Sequence, residues 1–534
     1  MGVAHDAIAA ATPDREALVF GDCRLTWAQI AERSRRLANH LNAAGLGCHT
    51  ERFDLEPWES GQDHLAIACY NGNEYLEAML GAFKARVAPF NVNYRYGPDE
   101  LAALLADGQA RGIVYHSAFA PMVAAVRPSL PRLEVFLQVH DQTCHALLPG
   151  ATWYEDALAA APATPPPVAP SPDDLYILFT GGTTGRPKGV MWRQGDAFTE
   201  CFGGSRTATS IEEVVAAATT HLQALLAPPF MHGAGQWVGF LTWHTGGTIY
   251  LQRHPERLDP ADIWRTVERE RVTYLMVVGD AFARPLLDEL DRRSYDLSSL
   301  TVLLSGGAPF SWPMKQAFLQ HLPTVMIVDG LGSSEAGGQL THVSTAGGAS
   351  SGTFPLAVHS VLLSADRRRV LEPGAAELGW LAKSGRLALG YLGDPVKTKE
   401  TYPVVDGVRY AVPGDRARLQ LDGTVELHGR EASTINSGGE KIFAEEVEAA
   451  VKAHPDVYDC VVAGRPSERW GSEVVAVVQL RAEVEPDPAA LRRAAATRLA
   501  RFKLPKAFVF VDEVVRSPSG KADYRWARDV AARG

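Results

Sequence analysis

Residues Thr180 to Lys188, TGGTTGRPK, set hydroxyl side chains and bare backbone next to one another and end on a lysine. Closely spaced backbone N–H groups cradle an anion and a lysine adds a point charge, so the chemistry indicated is polyphosphate binding. A P-loop requires Gly-Lys followed by Ser or Thr. Here Lys188 stands between Pro187 and Gly189, which excludes that loop and requires another nucleotide-binding turn. Two further stretches have small or nucleotide-compatible groups where a strand would end: Ser305 to Pro309, SGGAP, and Asp329 to Glu335, DGLGSSE.

Such loops need elements to hold them. The apolar run Leu175 to Phe179 predicts a buried strand leading into the first loop. RVTYLMVVGDAFARPLLDEL and LTVLLSGGAPFSWPMKQAFLQHL each run from a β-branched strand through a turn into a helix, and TVMIVDGLGSSE reads as a strand entering a glycine turn. This alternation predicts parallel sheets covered by helices, with ligands at the strand carboxyl ends. Nearer the start, Leu25 to Gly47 has apolar residues at helical spacing and a glycine stop. His64 to Tyr96 then reads strand, turn, helix, strand; the polar segment Cys48 to Gly61 before it reads as a surface insertion. Ala159 to Asp174 is too proline-rich for a helix and predicts an extended connection. After DGTVELHGR the pattern changes to short alternating helices and strands, which predicts a small α+β domain from about residue 431 to the end.

Bulk properties bound the rest. A chain of 534 residues is too long for one core, and 46% hydrophobic with 21% charged residues is a globular composition. The formal charge of -10 argues against nonspecific nucleic-acid binding. Six scattered cysteines form no CxxC and have no histidine cluster beside them, so a reduced, cytoplasmic protein without a disulfide framework or zinc site is expected. No secretory signal is evident at the start, and no run reaches the roughly 20 apolar residues of a membrane span.

Taken together, FTGGTTGRPKGV, GGAP, DGLGSSE, PGDRARLQLDGTV, GR, NSGGEKIFAEEVE and SPSGKADYR resemble, in order, the motifs of the AMP-forming adenylating enzymes. These are the acyl-CoA synthetases, luciferases and peptide-synthetase adenylation domains, and the chain is most similar to bacterial fatty-acyl-CoA synthetases. The resemblance implies an α/β fold. Residues 1–430 would form a large N-terminal AMP-binding domain of helix-covered sheets, and residues 431–534 a small, mobile C-terminal lid.

The resemblance also implies roles. Thr180, Gly181, Gly182, Thr183, Thr184, Gly185 and Lys188 would wrap the β- and γ-phosphates of ATP, Thr184 among the catalytic groups. Gly181 replaces the family's usual serine and removes one hydroxyl donor. Gly306, Gly307 and Ala308 would wall the adenine, with Asp329 accepting from its amino group. In the stretch Gly330, Leu331, Gly332, Ser333, Ser334, an aromatic residue is usual where Leu331 stands, so ring stacking is lost. Glu335 would bind Mg²⁺, a hard cation suited to a carboxylate. Asp415 would take both ribose hydroxyls and Arg430 would reach ribose or phosphate. His232 would stand at the acyl-site entrance, and Gly439 would let the pantetheine arm of CoA approach. Ala432 replaces the usual hinge Asp or Lys.

Lys521 is the expected catalytic lysine of the first half-reaction. Attack of a carboxylate on the α-phosphate brings two anions together, and an ammonium placed for that transition state lowers the barrier selectively. The expected activity is an AMP-forming acyl-CoA synthetase using ATP, Mg²⁺, CoA and a small-molecule carboxylic acid. The acid is expected to be a medium- or long-chain fatty acid or a bulky alicyclic, steroid-type acid. Alternatives are an acyl-AMP ligase loading a carrier protein, a non-catalytic nucleotide-binding relative, and a luciferase-like oxygenase, which no residue distinguishes. Homodimers are common in such families.

Overall fold

The structure, a computed structural model, describes residues 1–180, 186–348, 353–437, 440–467, 470–517 and 520–533. Two eight-stranded sheets dominate. In the first, the strands His64–Ala68, Ala88–Asn91, Ala110–His116, Val135–Val139, Thr152–Trp153 and Leu175–Thr180 pair in parallel, and Lys188–Arg193 and Gly390–Tyr391 close one edge antiparallel. His64–Ala68 lies in the interior of this sheet, which is why LAIA after His64 is a continuous apolar run rather than alternating and the strand is buried at every position. In the second, Glu16–Phe20, Thr248–Leu251, Gln223–Leu226, Tyr274–Val277, Val302–Gly306 and Met326–Ser333 run parallel, with antiparallel strands Cys23–Thr26 and Gly337–Ser344 at the two edges.

Local chemistry accounts for the helices on these sheets. Thr26 caps Trp27–Ala43 through a capping box with Gln29, and the helix buries Ile30, Ser34, Leu37 and Leu41 along one face. Asp259 caps Pro260–Glu270, which begins with proline where no N–H is needed. The expected elements around the nucleotide loops are present as strand Tyr274–Val277 with helix Gly279–Arg292, and strand Val302–Gly306 with helix Trp312–His321.

Two features differ from the sequence reading. The DGLGS stretch is not a glycine turn: strand Met326–Ser333 continues through it and pairs antiparallel with Gly337–Ser344. Glycine leaves the backbone free to stay extended, and the edge partner satisfies its N–H and C=O groups. A third sheet, of five antiparallel strands, was not anticipated; it comprises Thr353–Pro355, Thr424–Arg430, Asp415–Leu419, Gly379–Lys383 and Ser360–Leu363. Its strands are short and its turns ordinary, so no helix-period signal competes or helps.

The small C-terminal lobe has the expected α+β make-up. Val457–Ser467 pairs antiparallel with Gly471–Leu480, which pairs in parallel with Ala507–Phe510. Helices Ala444–Lys452 and Pro488–Ala496 share one apolar core with this sheet, and Tyr524–Arg533 contributes to a second.

Candidate active site

Strand register builds the floor. Ser305 lies opposite Asp329 and Gly306 opposite Gly330, so two of the three motif-bearing strand ends are neighbours. Ser305 is buried, and its Oγ accepts from the Gly279 N–H at 3.0 Å, tying this strand end to the start of the preceding helix, Gly279–Arg292. Gly307 has φ +89°, a region glycine enters without penalty, and a Cβ there would lie 3.8 Å from Cε of Lys521. The Lys521 side chain therefore runs over Gly307.

Asp329 forms an ion pair with Lys315, whose side chain is fully buried. Burial pushes the Asp329 carboxyl up, opposed by the Lys315 ammonium. Leu331 pairs with Leu340 across the hairpin and packs on the apolar cluster of Phe354 and Leu362.

The third strand end is tied to the same place. Thr180 lies opposite Lys188 across the first loop, and Trp192 on the returning strand donates to the Ser334 carbonyl at 2.7 Å. Residues Gly181, Gly182, Thr183, Thr184 and Gly185 lie outside the described residues, as does Gly439. Lys188 is paired with Asp394, and its Nζ is 6.0 Å from the Tyr391 ring centre. Tyr391 in turn donates to Glu335 Oε1 at 2.8 Å, and the Tyr402 hydroxyl donates to the Glu335 carbonyl at 3.3 Å. Burial and the Glu335 charge push both phenols up, so both remain donors. Glu335 is thus oriented by two tyrosines through one oxygen and its backbone, and the other carboxylate oxygen lies outside these bonds. A hard-oxygen donor held this way fits Mg²⁺.

The opposite wall comes from the antiparallel sheet, where Asp415 lies across from Arg430. Arg430 Nε donates to Asp415 Oδ1 at 3.0 Å, while Asp415 Oδ2 is buried and has no hydrogen-bond partner among the described residues. A buried acceptor left unmade costs roughly 1–3 kcal/mol, so the site is matched to a ligand that brings hydroxyl donors. The Arg430 carbonyl accepts from Ser433 Oγ at 2.9 Å and Thr434 Oγ1 at 3.2 Å, closing the turn Glu431–Ser433 that follows.

Lys521 lies over Gly307 and within the electrostatic reach of Arg430, Glu335 and Asp415. Its side chain keeps solvent-accessible surface while protein groups crowd around it. That enclosure, and the like charge of Arg430, pull its ammonium down to about 8, opposed by Glu335 and Asp415. His232 precedes helix Gly233–His244 as its N-cap. Burial, with Lys521 nearby, pulls His232 down to about 3, and its Nε2 has no partner among the described residues. A neutral imidazole with one free ring nitrogen therefore faces the lysine's field.

Sequence reasoning missed the supports of this site. Lys315 lies on the buried face of its helix with Met314, Phe318 and Leu319, a lysine in an apolar stripe, and that misplacement was readable. Tyr391 and Tyr402 carry no comparable signal, since aromatic residues at such places are ordinary core. Lys383 donates to the Ala336 and Gly338 carbonyls at 3.0 and 2.7 Å and pairs with buried Glu200, fixing the turn after Glu335.

Two neighbouring strand carboxyl ends, a buried Asp415 oxygen with no partner among the described residues and a lysine from the second lobe are thus brought near one another. Residues 5–392 match the AMP-binding enzyme family and residues 446–521 the AMP-binding enzyme C-terminal domain, and the chain belongs to this family. It is 53% identical over 535 residues to the medium-chain acyl-CoA ligase Mig of Mycobacterium avium, covering 99% of this chain and 97% of that protein. It is 40% identical to a medium/long-chain-fatty-acid–CoA/3-oxocholest-4-en-26-oate–CoA ligase of Mycobacterium marinum, covering 97% and 94%. Its fold is similar to the crystal structure of the anthranilate CoA ligase AuaEII in complex with anthranoyl-AMP. The TM-score is 0.83 at 20% identity, over 99% of this chain and 97% of that one.

Proposed function

We propose that this protein is an AMP-forming acyl-CoA synthetase acting on a medium- or long-chain fatty acid or a bulky steroid-type acid. The observation that carries the reading is the meeting of Lys521 with Glu335, Asp415 and Arg430 in one cleft, supported by two full-length relatives named for such acids. In the first half-reaction a carboxylate oxygen attacks the α-phosphorus of ATP, the bond to the bridging oxygen breaks, and pyrophosphate leaves. Lys521 neutralises charge that develops on the α-phosphoryl oxygens, and Asp415 Oδ2 accepts from the ribose. Asp329, set by Lys315, accepts from the adenine amino group. Glu335 would hold Mg²⁺, which supplies charge neutralisation to the departing phosphates. His232 lines the entrance for the acid.

In the second half-reaction the CoA thiol attacks the acyl carbon and AMP leaves. Splitting the work this way replaces oxide, a poor leaving group, with AMP. The lobe after Arg430 turns between the steps, with the boundary at residues 430 and 431 and the pivot in the turn Glu431–Ser433, withdrawing Lys521 and presenting Gly439. A panel of carboxylates, assayed for pyrophosphate release and for thioester formed with CoA, tests the reading. Octanoate to palmitate or a steroid side-chain acid should give both products. Pyrophosphate without a CoA thioester would refute the assigned acceptor, and no carboxylate-dependent pyrophosphate would refute the activity.

A further inference from the structure

The small lobe meets the large one next to the adenine wall. Gly520 has φ +70° and lies flush on the start of helix Gly279–Arg292: a Cβ there would be 3.1 Å from both the Val278 carbonyl oxygen and Ala281 Cβ. Beside this contact a cavity of about 530 Å³ separates the lobes, bordered by Asp280, Arg284, Tyr458, Asp459 and Arg516. Polar contacts span the lobes beside it: the Tyr458 hydroxyl donates to Asp288 Oδ2 at 3.3 Å, and the Arg284 guanidinium lies 5.1 Å from the Tyr458 ring centre.

Another of these contacts is a buried charge pair. Lys452 Nζ, at the end of helix Ala444–Lys452, lies 3.1 Å from Asp280 Oδ2, with side chains only 8% and 6% exposed. Asp280 is fixed from its own side, because its Oδ1 accepts from the Ser311 N–H at 2.8 Å, just past the Gly306–Ala308 wall. Asp280 also stands in the first turn of its helix, where a carboxylate is favoured.

On the small-lobe side the adjoining charges lead to Lys521. Arg516 grips both Asp459 oxygens, at 2.5 and 2.7 Å, and donates from Nη1 to the Gly520 carbonyl at 3.1 Å. The residue before Lys521 is thus clamped to the strand on which helix Ala444–Lys452 packs. Orienting Lys452 orients the loop that carries Lys521.

We propose that the Asp280–Lys452 ion pair is the latch that holds the small lobe where Lys521 reaches the nucleotide, which makes Lys452 a positioning residue for the first half-reaction alone. A buried pair suits this role because it is strong in one geometry and its partners need water once separated. The adjacent cavity supplies room for that water. The proposal rests on the synthetase reading given above.

The two half-reactions separate latch from scaffold. Lys452→Met should slow acid-dependent pyrophosphate release by about tenfold or more, while thioester formation from presynthesised acyl adenylate and CoA stays within about twofold of the unaltered protein. Lys452→Arg, which keeps the charge, should recover most of the first rate. An intact second half-reaction shows that the variant is folded. Loss of both half-reactions together, loss of the second alone, or no change in either would overturn the latch. Absence of pyrophosphate release in the unaltered protein would instead overturn the synthetase reading.

Discussion

The floor of the cleft and its lid are built by opposite means. The floor is fixed by strand register and buried partners: Ser305 against Asp329, Asp329 against a fully buried Lys315, Glu335 under Tyr391 and Tyr402. The lid arrives on a turn of three residues and rests against the floor beside a cavity of about 530 Å³. Groups needed in every step can be locked into the sheet, whereas a group needed in one step must be held by contacts that can break. Substitutions in the two regions should therefore fail differently.

The sharpest separation comes from Lys521. Lys521→Ala should reduce pyrophosphate formation from acid and MgATP by about a thousandfold, about 4 kcal/mol of transition-state stabilisation, because an ammonium aimed at the developing phosphoryl charge has no substitute. Thioester formation from presynthesised acyl adenylate should be unchanged, and so should the unfolding midpoint. Equal loss of both half-reactions would place Lys521 in the floor rather than the lid and erase the contrast.

What could be read from the chain follows the same division. The strands leading into TGGTTGRPK and SGGAP were legible because they are apolar runs of ordinary length that end in small residues. The existence of a small C-terminal α+β lobe was legible as a change of rhythm. The supports were not. That Tyr391 orients Glu335, or that Lys452 crosses to Asp280, depends on residues 56 and 172 positions apart meeting in space. The DGLGS strand was misread for a related reason, since its extended form depends on the Gly337–Ser344 partner, not on its own glycines.

The floor has its own break point. Lys315→Met removes the partner of a carboxylate already strained by burial, and should destabilise the large lobe by about 3 kcal/mol in denaturant unfolding. If, as proposed, adenine and the adenylate's AMP occupy the same floor in both steps, both half-reactions should weaken through poorer nucleotide binding. A variant with normal stability and only the first half-reaction impaired would show that Lys315 behaves as part of the lid machinery.

The smallest expected effect tests the electrostatics of the meeting itself. In the proposed mechanism the ammonium of Lys521 is the active form, and desolvation with the like charge of Arg430 pulls it down to about 8. It is therefore present below that pH and lost as pH rises through it. For adenylation kcat/KM, which reports the free enzyme, this predicts a fall of about tenfold between pH 7 and pH 9. Bound triphosphate adds negative charge beside the lysine and favours protonation, so the corresponding limb in kcat should lie at higher pH. The thioester step, in which Lys521 is withdrawn, should lack this descending limb and rise instead as the CoA thiol ionises. A shared alkaline limb in both half-reactions would mean that the titrating group belongs to the floor, and Lys521→Arg, which stays charged across this range, should remove the limb from adenylation only if the lid carries it.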